Sequence, residues 1–207
     1  MEEKKQQKNV KDVYQGVGSF VIEIVKIFLL AFLIIVPIRI FLFQPFFVQG
    51  ASMEPNFEDN EYLIITELGY KQTEVKIGSN KIFKVNSFKD IERQTVLVFR
   101  YPNDRNKYFI KRVIGLPNER VEIKNGVVKI YNRENPNGFI LDESAYLAKT
   151  VETMGDLSMQ LNEDQYFVMG DNRRFSSDSR AWGPISKADV IGKVLLRAWP
   201  VNNLEIF

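Results

Sequence analysis

The sequence predicts a mainly β domain preceded by one membrane-spanning helix. Three observations carry that fold class. A long apolar segment near the N-terminus stands apart from everything after it, the remainder alternates short apolar runs with turn-forming residues, and Asn125-Gly126 separates two alternating runs as a tight hairpin does. The predicted divisions are a polar segment over 1–18, an anchor over 19–43 and an extracytoplasmic β-rich domain over 44–207.

The first residues are polar and carry Lys4, Lys5, Lys8 and Lys11. The uncharged run from Ile27 to Ile38 is roughly 18 Å long as a helix, too short for a bilayer. Extended over Ser19–Phe43 it reaches about 37 Å, which spans with some tilt. Glu23 and Lys26 can pair on one face, and Arg39 is near enough to the far end to snorkel. Two other readings of this segment are a buried amphipathic helix and a cleavable signal peptide, since Val48-Gln49-Gly50 has small residues at the two key positions of a cleavage site. Four lysines precede the helix and residues 40–70 hold no Lys or Arg, so the N-terminus is predicted cytoplasmic and the domain outside.

Beyond the anchor, strands are predicted over Phe46–Gln49, Tyr62–Thr66, Thr95–Tyr101, Tyr108–Ile114, Arg120–Lys124, Val127–Tyr131, Gln165–Met169 and Val190–Trp199. Residues 132–162, rich in Asn, Glu, Gly and Ser, read as a long excursion from the sheet.

Composition narrows the chemistry. The 207 residues include no His and no Cys, which excludes Ser-His-Asp and Cys-His catalysis, zinc sites built on those ligands, and disulfides. Acid–base and nucleophilic work falls to Ser, Thr, Lys, Tyr, Asp or Glu. The absence of Cys is compatible with an extracytoplasmic location without establishing one. The net charge is +2, no basic stripe with interleaved aromatics occurs, and the part after residue 43 holds 22 basic and 22 acidic residues. Nothing there argues for nucleic acid.

Three segments carry reactive residues. In Gln49-Gly-Ala-Ser-Met-Glu-Pro55 a serine sits among small residues after an apolar strand, which suits an exposed hydroxyl beside a free backbone N–H and equally suits an ordinary turn. In Tyr108-Phe-Ile-Lys-Arg-Val-Ile-Gly-Leu-Pro117 the strand period puts Phe109, Lys111 and Val113 on one face. A lysine on an inward face loses hydration and its pKa falls, whereas on an edge strand it snorkels to water. The loop Met169–Gly183 is rich in hydroxyls and carries Asp178 and Arg180, able to stiffen a site or to form a solvated turn.

In this order the segments closely resemble the conserved boxes of bacterial type I signal peptidases. Ser52-Met-Glu-Pro55 matches Ser-Met-x-Pro, Phe109-Ile-Lys-Arg-Val-Ile-Gly-Leu-Pro117 matches the lysine box, and Gly170-Asp-Asn-Arg-Arg-Phe-Ser-Ser-Asp-Ser-Arg180 matches the C-terminal box. With the anchor and β-rich body, the resemblance covers nearly the whole chain and is nearest to the short single-anchor enzymes of Gram-positive bacteria. It implies a signal-peptidase-like β-sheet catalytic domain that removes signal peptides from exported preproteins after Ala-X-Ala. Its implied partners are those preproteins and the lipid bilayer; no nucleic acid, metal, cofactor or oligomer is required. The resemblance makes Ser52 the nucleophile, with its N–H an oxyanion donor, and Lys111 the general base. It further gives Ser176 as a hydrogen-bond partner of the lysine, Asp178 with Arg180 as a supporting ion pair, and Met53 as a residue flanking the substrate. Phe46, Phe47 and Met53 are expected to be exposed near the anchor, where they would reach the lipid surface.

The chain departs from the family pattern in three places. Gly50 stands where some relatives carry a side-chain oxyanion donor, Asn56 where Thr is frequent, and Pro117-Asn-Glu119 where Pro-Gly-Asp is common. Asn tolerates left-handed geometry, so the last turn is expected to survive. Two alternatives share the fold. Self-cleaving SOS repressors use Ser-Lys chemistry but carry a DNA-binding domain and no anchor, and a non-enzymatic assembly chaperone would be expected to lose the serine or the lysine.

Overall fold

A single helix, α1 (Ser19–Val36), opens the described part of the chain. The computed structural model describes residues 19–36, 42–77 and 80–207; the predicted segment 1–18 and part of the predicted anchor lie outside them. Two compact units divide the chain, Met1–Leu42 and Phe43–Phe207. At 18 residues α1 is about 27 Å long, close to a bilayer's hydrocarbon thickness. Its large apolar side chains, Phe20, Phe28 and Leu33 among them, are exposed. Apart from Glu23 and Lys26, α1 carries no charged side chain, a composition suited to a lipid environment.

The second unit is antiparallel throughout. Its strands are β1 (Phe43–Phe47), β2 (Tyr62–Thr66), β3 (Thr73–Ile77), β4 (Asn80–Val85), β5 (Val96–Tyr101), β6 (Asp104–Gly115), β7 (Arg120–Lys124), β8 (Val127–Tyr131), β9 (Phe139–Ile140), β10 (Leu157–Gln160), β11 (Gln165–Met169), β12 (Ile185–Ser186), β13 (Val190–Trp199) and β14 (Glu205–Ile206). One short helix, α2 (Ser179–Trp182), follows β11. The main sheet has the order β1-β2-β13-β5-β6-β11-β12, with β14 added to β13. A second sheet runs β10-β7-β8-β9, and β3 pairs only with β4.

Five predicted strands coincide with β2, β7, β8, β11 and β13. The first strand lies earlier than predicted because Val48 leaves the ladder and turns into the core, its N–H donating to Glu61 O at 2.9 Å. β1 pairs with β2 in continuous register from Phe43↔Thr66 to Phe47↔Tyr62. A cut after Gly50 would strip that strand from the sheet, which argues against a cleavable signal peptide. The excursion over 132–162 returns twice, as β9 beside β8 and β10 beside β7. At two and four residues these strands are too short for a period to stand out in the sequence. Asn125 and Gly126 have φ of 51° and 78°, the paired left-handed geometry of a two-residue hairpin turn.

Three apolar clusters fill the unit. β5 shows how they are arranged: Val96 and Val98 join one cluster with Val48 and Leu63, whereas Leu97 and Phe99 join another with Val113 and Val168. Alternate side chains point to opposite faces, so the main sheet is covered on both. The third cluster joins the two sheets through Ile114, Phe167 and Met169 against Val121, Ile123 and Ile130. Arg93 closes that junction, donating to both oxygens of Glu119 at 2.6 and 2.8 Å and to Ile114 O at 2.6 Å. Asn118, at φ 65°, keeps the left-handed turn expected there.

Replacing one member of the Arg93–Glu119 pair strands the other in a low-dielectric site. Glu119→Ala is expected to lower unfolding stability by about 3 kcal/mol, read from denaturant midpoints at pH 7.

Candidate active site

Lys111 lies on β6 opposite Leu97 of β5, with Val113 following on the same face. Its side chain is 3% exposed. Nζ sits 2.6 Å from Ser52 Oγ and 2.7 Å from the Ile110 carbonyl, to which it donates. Ser52 belongs to the turn between Val48 and Phe57, two residues of one apolar cluster, so packing on both sides fixes where the hydroxyl emerges. Burial pulls the lysine pKa down to about 8; the negative charges of Asp178 and Asp171 oppose that shift without cancelling it.

The loop after β11 holds this pair from behind. Asp178 caps α2 and is fully buried. Arg180 grips both of its oxygens at 2.8 Å, and the Gly170 N–H adds a bond at 3.1 Å. Asp178 is thus a helix cap bonded to its own helix. Those donors outweigh desolvation and hold its carboxyl below the usual range. Gly170 also passes close to the nucleophile turn. A Cβ there would lie 2.3 Å from Ser52 O and 2.2 Å from Ser176 Oγ. Asn172 ties the same turn, its N–H donating to Ser52 O at 3.1 Å and its side-chain amide to Ala51 O at 2.9 Å.

Two expectations need correction. Met53 is fully buried with Phe57 and Leu63, so it neither lines the cleft nor reaches a lipid surface; the turn that exposes Ser52 points the next side chain inward. Phe47 is exposed as expected, and Phe46 is half-buried. Ser176 makes no hydrogen bond to Lys111. Its Oγ is buried, has no partner of ordinary geometry, and faces Asp178, whose charge it helps stabilise. Gly50 contributes no oxyanion donor by its backbone, because its N–H is taken by Asp59 Oδ1 at 2.7 Å. The Ser52 N–H meets no acceptor among the described residues.

A supporting group went unread in the sequence. Arg112 holds Asp171 through both oxygens at 2.8 and 2.6 Å and stacks its guanidinium over Tyr146 at 4.1 Å. Asn56 donates to Asp171 Oδ2 at 2.9 Å and to the Tyr146 carbonyl at 2.7 Å. Strand alternation was the available signal for Arg112, which must face away from Lys111. Asp171 and Tyr146 gave none, because their partners are distant in sequence. Ser52 and Lys111 open onto a cleft of about 690 Å³ walled by Phe46, Val48, Leu63, Tyr108 and Phe175.

Residues 21–199 match the family described as signal peptidase, peptidase S26. The chain belongs to that family. A probable signal peptidase I-2 from Synechocystis is 32% identical over 191 residues, 89% of this chain and 76% of the relative. Signal peptidase IB from Staphylococcus aureus is 28% identical over 186 residues, 84% of this chain and 87% of the relative. A solved signal peptidase I from Enterococcus faecalis has 30% identity and a TM-score of 0.42, covering 51% of this chain and 97% of the other.

As a member of the signal peptidase family the chain is a hydrolase of the signal peptidase I type, and α1 has the length and composition of a membrane anchor. Chemically, a hydroxyl within 3 Å of an amine with a pKa near 8 is a proton donor beside a base neutral in an appreciable fraction at neutral pH.

Two predictions follow from this geometry. Gly170→Ala forces the Ser52 carbonyl or Ser176 to move and is expected to cut preprotein processing by about 10²-fold with circular dichroism unchanged. Lys111 has a lower pKa folded than unfolded, so its burial cost is full below pH 8 and is relieved as pH rises toward the unfolded value. Lys111→Met should therefore raise stability at pH 7, by about 3 kcal/mol at most, with the gain shrinking by pH 10 in denaturant titrations.

Proposed function

We propose that the chain is a membrane-anchored serine endopeptidase that removes signal peptides from exported preproteins through a Ser52–Lys111 dyad. The observation that carries the reading is the 2.6 Å contact between Ser52 Oγ and a buried lysine amine. Neutral Lys111 takes the hydroxyl proton as Ser52 attacks the carbonyl of the last signal-peptide residue. The oxyanion is held by the free Ser52 N–H. The carbon–nitrogen bond then breaks, the leaving amine takes the proton from Lys111, and the neutral lysine activates water to hydrolyse the ester. Asp178 with Arg180 and Asp171 with Arg112 hold the loops that position the pair; Ser176 acts through Asp178. The cleft's apolar wall favours apolar residues before the cut, with which Ala-X-Ala is compatible.

The anchor reading is supported by the exposed apolar surface of α1, and its direction by the lysines that precede it against none over residues 40–70. The N-terminus is then cytoplasmic and the catalytic unit acts outside on preproteins delivered in the same bilayer. No metal, cofactor, nucleic acid or oligomer enters the mechanism.

Ser52→Ala and Lys111→Ala are each expected to reduce processing of a purified preprotein in detergent by about 10⁴-fold, followed on gels. Full processing by either variant would overturn the dyad. Activity should climb with pH through about 8 and level off above it, because only neutral lysine is competent. At pH 7 that fraction is about a tenth. A rate falling between pH 6 and 9 contradicts the assignment.

A further inference from the structure

Phe175 is 73% exposed, and it lines two cavities that share no other residue. One is the cleft containing Ser52 and Lys111. The other, about 750 Å³, starts two residues past the nucleophile at Glu54 and Pro55 and is bounded further off by Leu147 and Met154. Asn172 forms part of its wall while bonding Ser52 O and Ala51 O, so the two spaces adjoin at the nucleophile turn.

Both linings are mostly apolar, and they differ in the charged groups they carry: lysines in the first, carboxylates and arginines in the second. Near Ser52 the first is walled by Phe46, Phe47, Val48 and Leu63, fit for an apolar segment. In the second, Asp171 and Arg173 are already paired with Arg112 and Glu143. Glu54, Glu152 and Arg174 on its wall enter no ion pair among the described residues. The rest of this lining is largely apolar, with Leu147, Val151 and Met154 among it, so the cavity offers apolar surface edged by unpaired charges and accepts a chain of mixed composition with a charged end. Two of the three charges are carboxylates.

We infer that this second cavity binds the N-terminal segment of the mature chain, with Phe175 as the wall between the two halves of the substrate and Glu54 as the partner of the released α-ammonium. The inference rests on the Ser52–Lys111 reading. While the signal-peptide residues remain esterified to Ser52 they fill the first cleft, so the leaving chain must occupy the other side of the nucleophile. Its nitrogen departs with the proton from Lys111. An α-amine has a pKa of about 8, so it takes a second proton from water and becomes cationic. Glu54, half-buried and two residues from Ser52, is the nearest unpaired carboxylate in sequence to that point.

The test uses the full chain carrying Ser52→Ala, in detergent micelles, titrated with a fluorescent hexapeptide of a mature N-terminus. The free-amine peptide is expected to bind about fivefold tighter than its N-acetyl form. Adding Glu54→Gln should abolish that preference, and adding Phe175→Ala should weaken both peptides about tenfold. Equal affinity of the two peptides, or a preference that survives Glu54→Gln, overturns the inference. Binding is read without turnover, so the outcomes separate: preprotein processing by the Ser52→Ala chain would sink the dyad, whereas an inactive variant with no amine preference sinks only the mature-chain site.

Discussion

Keeping an amine out of water is the constraint from which the site follows. Lys111 is buried on an apolar face beside Leu97 and Val113, and burial lowers its pKa. The carboxylates of Asp178 and Asp171 are near enough to oppose that shift. Each is held through both oxygens by its own guanidinium, Arg180 for the first and Arg112 for the second. The arginines let carboxylates serve as structural acceptors without fully recharging the lysine. Replacing either arginine by a neutral residue would leave a buried, uncompensated negative charge near the amine and favour its protonated form.

Geometry reaches the same pair from three directions. β6 supplies the lysine, packed between β5 and β11 in the main sheet. The serine turn is pinned at its ends by Val48 and Phe57. The loop from Gly170 to Arg180 presses against that turn through Asn172 and the bare Cα of Gly170. Residues 59 and 118 positions from Ser52 thus share one small volume, and the fold's double-sided core makes their positions reproducible.

Much of this was legible in the sequence because it depends on local pattern. The hairpin at Asn125-Gly126, the alternation of β7 and β8, and the sharing of one strand face by Phe109, Lys111 and Val113 follow from period and turn chemistry; that this face is buried does not. What escaped depends on partners distant in the chain. β9 and β10 are strands only because β8 and β7 offer open edges. Met53 looked like a cleft residue beside the serine, yet the turn's own direction carries it into the core. Ser176, assigned to the lysine by resemblance, faces Asp178 instead, a difference of side-chain direction that spacing cannot encode.

The contact at Gly170 has an evolutionary consequence. A side chain there would have to share space with the carbonyl of the nucleophile and with a buried hydroxyl. Neither can be vacated alone, since Asn172 holds the first and Ser176 is enclosed. Drift at this position is therefore closed unless several residues change at once. Lineages of this enzyme are expected to vary freely at exposed loops while carrying the same hydrogen atom at Gly170.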